Sequence, residues 1–144
     1  MDNATLLIPV AAGLIAQIIK FFIKSNRQKF NFKGLTAYSG MPSGHSALVV
    51  SLLTIIGLTE GVDTPFFAIA FILATVVIRD ALGIRRYLGE HGKILNILVR
   101  DLKDDNVLEQ KYPHLLERIG HTPLQVAVGG LIGFITSIAG YMML

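Results

Sequence analysis

The residues Pro42-Ser43-Gly44-His45 stand where a polar loop meets a largely apolar run, Ser46–Leu58. Ser43 is a good helix N-cap, and Pro42 orders the entry. The first turn of such a helix points N–H groups outward, and a helix N-terminus binds anions, phosphate especially. Gly44 lets a ligand approach the backbone closely. His45, in that first turn, is placed to give a proton to whatever leaves the anion. Two more groups carry matching chemistry. Lys20 and Arg27 flank the end of the first apolar run, and His121 stands just before the last one. His121 and Gln125 are four apart, hence on one helical face. Two imidazoles, several cations and a helix N-terminus fit phosphoryl transfer without a metal. One imidazole attacks phosphorus, the cations and N–H groups hold the equatorial oxygens, and the other imidazole protonates the leaving oxygen. The plain alternative for Pro42–His45 is a helix cap with an interfacial histidine.

Such residues need elements to bring them together. The chain has 144 residues, enough for one domain spanning 1–144, and 52% of them are hydrophobic against 16% charged. Three long apolar windows stand out: Ala4–Ile23, Pro65–Ile78 running on towards Ile84, and Thr122–Leu144. Each is close to the roughly 20 residues that cross a bilayer. Ser46–Leu58 is shorter, and spans if its helix begins at Ser43 and its surroundings absorb the mismatch. The expected fold is therefore an all-α integral membrane protein with four transmembrane helices. A cleaved leader over the first window is disfavoured by Asp2 and the lack of a basic start. A soluble helical core is disfavoured by Leu124–Leu144, which carries no charge. There is no cysteine, so neither disulfides nor a Cys-based zinc site can form.

All 13 Lys and Arg lie between Lys20 and Lys33 or between Arg79 and Arg118, whereas the turn Glu60–Asp63 is acidic. The positive-inside rule puts both basic segments in the cytoplasm and both termini outside. The net charge of +3 is thus concentrated on one face, where it also suits anionic headgroups or phosphate. Gly83–Gly120 is too charged to cross a membrane and too apolar for a free linker. In Tyr87–Leu102, Leu88, Leu95, Leu98, Val99 and Leu102 recur at helical spacing, opposite charged residues. The pattern predicts a cytoplasmic amphipathic helix between the third and fourth spans, at the interface or folded over the bundle. Asp104–Gly120 reads as a second short helical piece, broken at Pro113.

The set resembles the type 2 phosphatidic acid phosphatase superfamily, which is related to the vanadium haloperoxidases. That family's motifs are K-x6-R-P, P-S-G-H and S-R-x5-H-x3-D. Here they stand as KFFIKSNR (Lys20–Arg27), PSGH (Pro42–His45) and, divided, GIRR (Gly83–Arg86) with HTPLQV (His121–Val126). RDALGIRR and GHTPLQVAVGGLIG look like the superfamily's divergent branch of small bacterial and plastid membrane proteins. The resemblance implies that Lys20, Arg27, Ser43 and Gly44 bind phosphate oxygens and that His45 is the general acid. Arg85 or Arg86 would be the third-motif arginine, and His121 the nucleophile that forms a phosphohistidine. Gln125 stands where the family has an orienting Asp, and Asp80 is the carboxylate that could replace it. His91 follows Arg85 at the family's spacing, but the family's nucleophile immediately precedes its last membrane helix, which favours His121. His114 is expected at the surface.

The function this implies is hydrolysis of a phosphate monoester or pyrophosphate of a membrane lipid, with water as final acceptor and no cofactor. Phosphatidylglycerophosphate, phosphatidic acid and polyprenyl pyrophosphate all fit. A membrane lipid phosphate is the expected partner, and nucleic acid is not. The family core usually has six membrane helices, so four would leave a lateral apolar face suited to a homodimer. Two other readings share the residues: a non-catalytic lipid-phosphate binding or transport protein, and a structural membrane protein whose basic loops only fix topology. The charge argument has a direct test in this cysteine-free chain. A cysteine placed at Thr64 should react with an impermeant reagent in intact cells, and one at Ser25 only after permeabilisation. Labelling of Ser25→Cys from outside overturns the orientation.

Overall fold

The computed structural model describes residues 3–23, 40–101, 114–117 and 119–144. Five helices follow in chain order among the described residues: α1 Ala4–Phe22, α2 Gly44–Thr59, α3 Pro65–Leu82, α4 Ile84–Asp101 and α5 Pro123–Tyr141. Their starts are written in local chemistry. Ser43 Oγ accepts the Ser46 N–H at 3.3 Å and opens α2. Thr64 Oγ1 accepts the Phe67 N–H at 3.4 Å and opens α3, with Pro65 as its first residue. Thr122 and Gln125 form a reciprocal capping box at the start of α5.

The chain is an all-α membrane protein, as the apolar windows imply. Among the described residues, three stretches are long and apolar enough to cross a bilayer: α1, the run opened by α3, and α5. At 16 residues, α2 is shorter; it spans about 24 Å, less than the roughly 30 Å of a hydrocarbon core. It is nonetheless the hub, packing against α1, α3 and α5. The interior is built from small side chains: Ala12, Ala16, Ala47, Ala70, Ala74 and Ser137 are buried. Large apolar groups such as Leu6, Phe66, Ile72, Leu131 and Phe134 point outward. This inverts the arrangement of a water-soluble domain. In lipid, tails are as apolar as leucine, so helices associate through close backbone approach and hydrogen bonds between small residues.

The α2–α5 contact shows that logic most clearly. A Cβ on Gly129 would collide with the Ser43 carbonyl oxygen, and one on Gly133 with that of Ala47. Deeper in the bilayer, the Ser137 hydroxyl donates to the Ser51 carbonyl at 2.8 Å, and the two hydroxyls lie 2.6 Å apart. α2 and α5 run parallel, with their N-termini side by side.

α4 follows α3 after the single residue Gly83. It is amphipathic, starting earlier than the Tyr87 expected from periodicity. Ile84, Leu88, Leu95 and Leu98 are exposed along one side. An adjoining face receives the returning chain. A Cβ on Gly92 would meet the Leu116 carbonyl oxygen at 2.8 Å, and one on Gly89 that of Glu117 at 2.6 Å. Asn96 pairs with Leu115 through both its carboxamide atoms, each bond 2.9 Å. The second short helix expected over Asp104–Gly120 does not extend through 114–117, which are not helical. The reason is that their backbone lies along the two-glycine groove of α4 and is claimed by Asn96. The rest of that expectation, 104–113 with 118, lies outside the described residues.

Gly133→Ala should therefore force α5 away from α2, whereas the Cβ of Gly130→Ala meets only the Val50 side chain at 3.4 Å. The expected cost of Gly133→Ala is about 1–3 kcal/mol. It is read as a lowered melting temperature in detergent, with Gly130→Ala close to wild type. Equal melting of the two variants rejects the close-contact interpretation.

Candidate anion site

At one end of the bundle lie the last turn of α1, the first turns of α2 and α5, and the α3–α4 break. The described basic and imidazole groups of interest gather there. Lys20, in the last turn of α1, is only 2% exposed. His45 is the second residue of α2 and remains exposed. His121 is 3% exposed, and its N–H donates to the Ala81 carbonyl of α3 at 3.0 Å. Arg85, in the first turn of α4, is one-third exposed and is held through Nε by Asp80. His121 feels the charges of Lys20, His45 and Arg85, and His45 those of Arg85, Lys20 and Asp80. Residues from four helices thus share one electrostatic neighbourhood.

Local geometry explains how the two halves of the third motif meet. Gly120 has φ +89°, a left-handed conformation suited to glycine. A Cβ there would lie 2.7 Å from the Arg86 amide nitrogen. The chain returning along α4 therefore touches Arg85–Arg86 just before it delivers His121. On the other flank the Ser43 N–H donates to the Gln125 carbonyl at 3.0 Å, which sets the start of α2 against that of α5.

The imidazole of His121 is buried, and neither ring nitrogen has a hydrogen-bond partner among the described residues. Burial, reinforced by the positive charge of Lys20, His45 and Arg85, lowers its pKa from 6.5 to about 4. The ring is neutral at physiological pH, so one nitrogen keeps its lone pair. That is the state a nucleophile needs.

Other sequence candidates are placed differently. The Gln125 side-chain oxygen accepts the Thr122 N–H at 2.9 Å. It serves the capping box rather than the His121 ring, because a residue at the third position of a helix reaches back most readily to its own cap. Asp80 does not bond His121 either. Its carboxylate turns to Arg85, five residues on across the Gly83 break. Ser43 is fully buried, and its hydroxyl oxygen takes bonds from the Ser46 N–H and Ser46 Oγ. Gly44 lies at the helix start, under the side chain of Gln17. Arg86 reaches along the surface to Glu90 at 3.4 Å. Arg27 lies outside the described residues. His91 is exposed on α4, and His114 is exposed beside Glu117 at 3.8 Å. Among the described residues, no group of three or more His, Cys, Asp or Glu is placed to hold a metal ion. Sequence reasoning missed Gln17, whose buried Oε1 has no hydrogen-bond partner. A carboxamide one turn before Lys20 within an apolar span was its available signal.

Fold and candidate site together define a small α-helical integral membrane protein with a cluster of cationic and histidine side chains at one end of its bundle. Residues 1–136 match the Divergent PAP2 family, and the chain belongs to it. It is also similar to the uncharacterized membrane protein YuiD of Bacillus subtilis (strain 168). The two are 37% identical over 150 residues, covering 96% of this chain and 94% of that one. No solved structure gives a significant match. The resemblance drawn from the Lys20, Pro42–His45 and His121 motifs is thus borne out at the level of the family.

The state of His121 has a thermodynamic consequence. The unfolded chain takes up a proton on this ring near pH 6.5, and the folded one only near 4. Folded-state stability from this group is therefore present above about pH 6.5 and lost as pH falls towards 4. The 2.5-unit difference corresponds to at most roughly 3 kcal/mol. In phosphate-free detergent, wild type should lose more stability than His121→Gln between pH 7.5 and 4.5. Parallel profiles for the two proteins reject the buried neutral imidazole.

Proposed function

We propose that the chain is a lipid-phosphate phosphatase acting on a phosphate monoester or pyrophosphate of a membrane lipid at the cytoplasmic face. One observation carries this reading: a neutral, buried imidazole with unpaired ring nitrogens, in the same electrostatic neighbourhood as Lys20, Arg85 and a second, exposed imidazole. Family membership supports it, and the clustering of basic residues at this end supports the orientation.

In this mechanism Lys20, Arg85 and the first amides of α2 hold the non-bridging phosphate oxygens. A His121 nitrogen attacks phosphorus and forms a P–N bond as the P–O bond to the leaving group breaks. His45 gives its proton to the departing oxygen. His45 then takes a proton from water, whose oxygen attacks phosphorus and breaks the P–N bond. Inorganic phosphate leaves and His121 is restored. Asp80 acts on Arg85, fixing the direction of the guanidinium.

A second reading is a binding or transport protein on the same scaffold. It is favoured by one specific feature: His121 has no carboxylate on its ring, and the Gln125 oxygen is committed to the helix cap. Loss of the orienting carboxylate in a hydrolase triad costs about 10⁴ in turnover.

Phosphate release from a panel of lipid phosphates separates the two. His45→Ala should lower turnover by about 10²–10⁴-fold, and His121→Ala should abolish it. Unchanged release in both variants ends the catalytic assignment, and saturable phosphate binding without turnover in wild type selects the second reading. Asp80→Asn should cost at least about tenfold more activity than Gln125→Ala, which loses only a cap of about 1 kcal/mol. The reverse order removes Asp80 from the site.

A further inference from the structure

We infer that Gln17 is a ligand-recognition residue of this site, and that its amide oxygen selects a ligand carrying an O–H group, as a phosphate monoanion does. The inference rests on the anion-site reading above and adds to it the protonation class of the ligand.

Gln17 lies three residues before Lys20 on α1, so both belong to the face that also buries Ala12, Gly13, Ala16 and Lys20 against the bundle. Its carboxamide crosses the first residue of α2. A Cβ added to Gly44 would meet Gln17 Cδ and Nε2 at 3.3 Å. Gln17 is therefore next to the helix end that offers its amides, and one residue from His45. Its Oε1 is buried and has no hydrogen-bond partner among the described residues. Buried polar atoms are normally paired, and an unpaired one in a membrane protein calls for an explanation. His121, 3% exposed with both ring nitrogens unpaired, is the second such group in the site.

The chemistry of the neighbours says what would pair with Oε1. An ammonium and a guanidinium offer donors and no acceptor, and first-turn amides are donors too. A fully ionised oxyanion satisfies all of them, yet meets Gln17 Oε1 lone pair against lone pair. A ligand with one O–H resolves the conflict, because that proton points at Oε1 while Nε2 donates to an oxygen beside it. A phosphate monoester has its second pKa near 6, so about half of it carries a P–OH at pH 6 and about a tenth at pH 7. Sulfate has the same shape and no proton. The O–H could also be a hydroxyl of the esterified alcohol. A site built to bond a hydroxyl discriminates strongly against an analogue lacking it.

The test uses the full chain in detergent, with binding of methyl phosphate and of sulfate measured at pH 6.0 and 8.5; about half of the monoester carries a P–OH at pH 6.0 and almost none at pH 8.5. Lys20, His45, Asp80, Arg85 and His121 act on both anions, and the phosphate monoanion carries less charge than sulfate, so a preference for phosphate at pH 6.0 runs against electrostatics and reports the ligand proton. Wild type should prefer phosphate by at least about tenfold at pH 6.0, and the preference should shrink at pH 8.5. Gln17→Leu should lose the preference at pH 6.0 by gaining sulfate relative to phosphate. Gln17→Glu should weaken both anions at pH 8.5 by like-charge repulsion, a readout independent of how well Gln17→Leu folds. Should methyl phosphate show no preference over sulfate, glycerol phosphate bound better than methyl phosphate in wild type but not in Gln17→Leu assigns the O–H to the alcohol. Wild-type selectivity retained in Gln17→Leu, with Gln17→Glu binding as wild type, overturns the inference and leaves the site standing. Failure of wild type to bind either anion, or identical binding in His121→Ala, removes the site itself.

Discussion

Two parallel helices packed backbone against backbone govern this structure. The Ser43 N–H bonds the Gln125 carbonyl, and Gly129 and Gly133 leave no side chain between α5 and α2. Ser43 is two residues before His45, and Gln125 four residues after His121. Fixing one pair therefore fixes the other at the same end of the bundle. It also sets two positive helix ends side by side. Part of their donor capacity is already used: the Ser43 N–H goes to Gln125, the Ser46 N–H to Ser43, and the Thr122 and Gln125 N–H groups to each other's side chains, while Pro123 has no N–H. The geometry that tightens the membrane core thus also gathers the residues of the candidate site at its edge.

The third motif shows how a divided sequence signature becomes a single place. Arg85 opens α4 and His121 ends the segment that returns along it. The return path is set by Gly89 and Gly92, which admit the backbone of 116–117, and by Asn96, which bonds Leu115 on both sides. Gly120 then turns against Arg86, and the His121 amide is caught by Ala81. The amphipathic helix is thus a track that brings a histidine back to an arginine, a role its apolar periodicity did not disclose.

Much of this was legible because it was local. Apolar runs gave the helices, Ser43, Thr64 and Thr122 gave their starts, and paired charge and imidazole pointed to one end of the bundle. What escaped was the competition for side chains. Gln125 could serve His121 or its own helix cap, and the Thr122-x-x-Gln125 spacing already carried the capping signature. Asp80 could serve His121 or Arg85, and only the turn at Gly83 decides which is nearer. The path of 114–117 escaped because it depends on glycines more than twenty residues upstream, a relation that no local period encodes.

Placing the site at a helix end rather than in the middle of the bundle follows from the solvent. Lys20 is buried, and a buried cation is tolerable only near the interface, where its long stem can bring the ammonium towards polar groups. The Asp80–Arg85 pair is one-third exposed, so its attraction is screened and adds little to stability; its value is in aiming the guanidinium. α4 completes the argument. Leu88, Leu95 and Leu98 are exposed on one side of it, adjoining the groove that takes the returning chain. A helix so patterned rests with its apolar side among acyl chains and its charges among headgroups. In that position Arg85, in the first turn of α4, would stand at the depth of lipid phosphates. The same helix that returns His121 to the bundle would then also set the level at which a phosphate meets it.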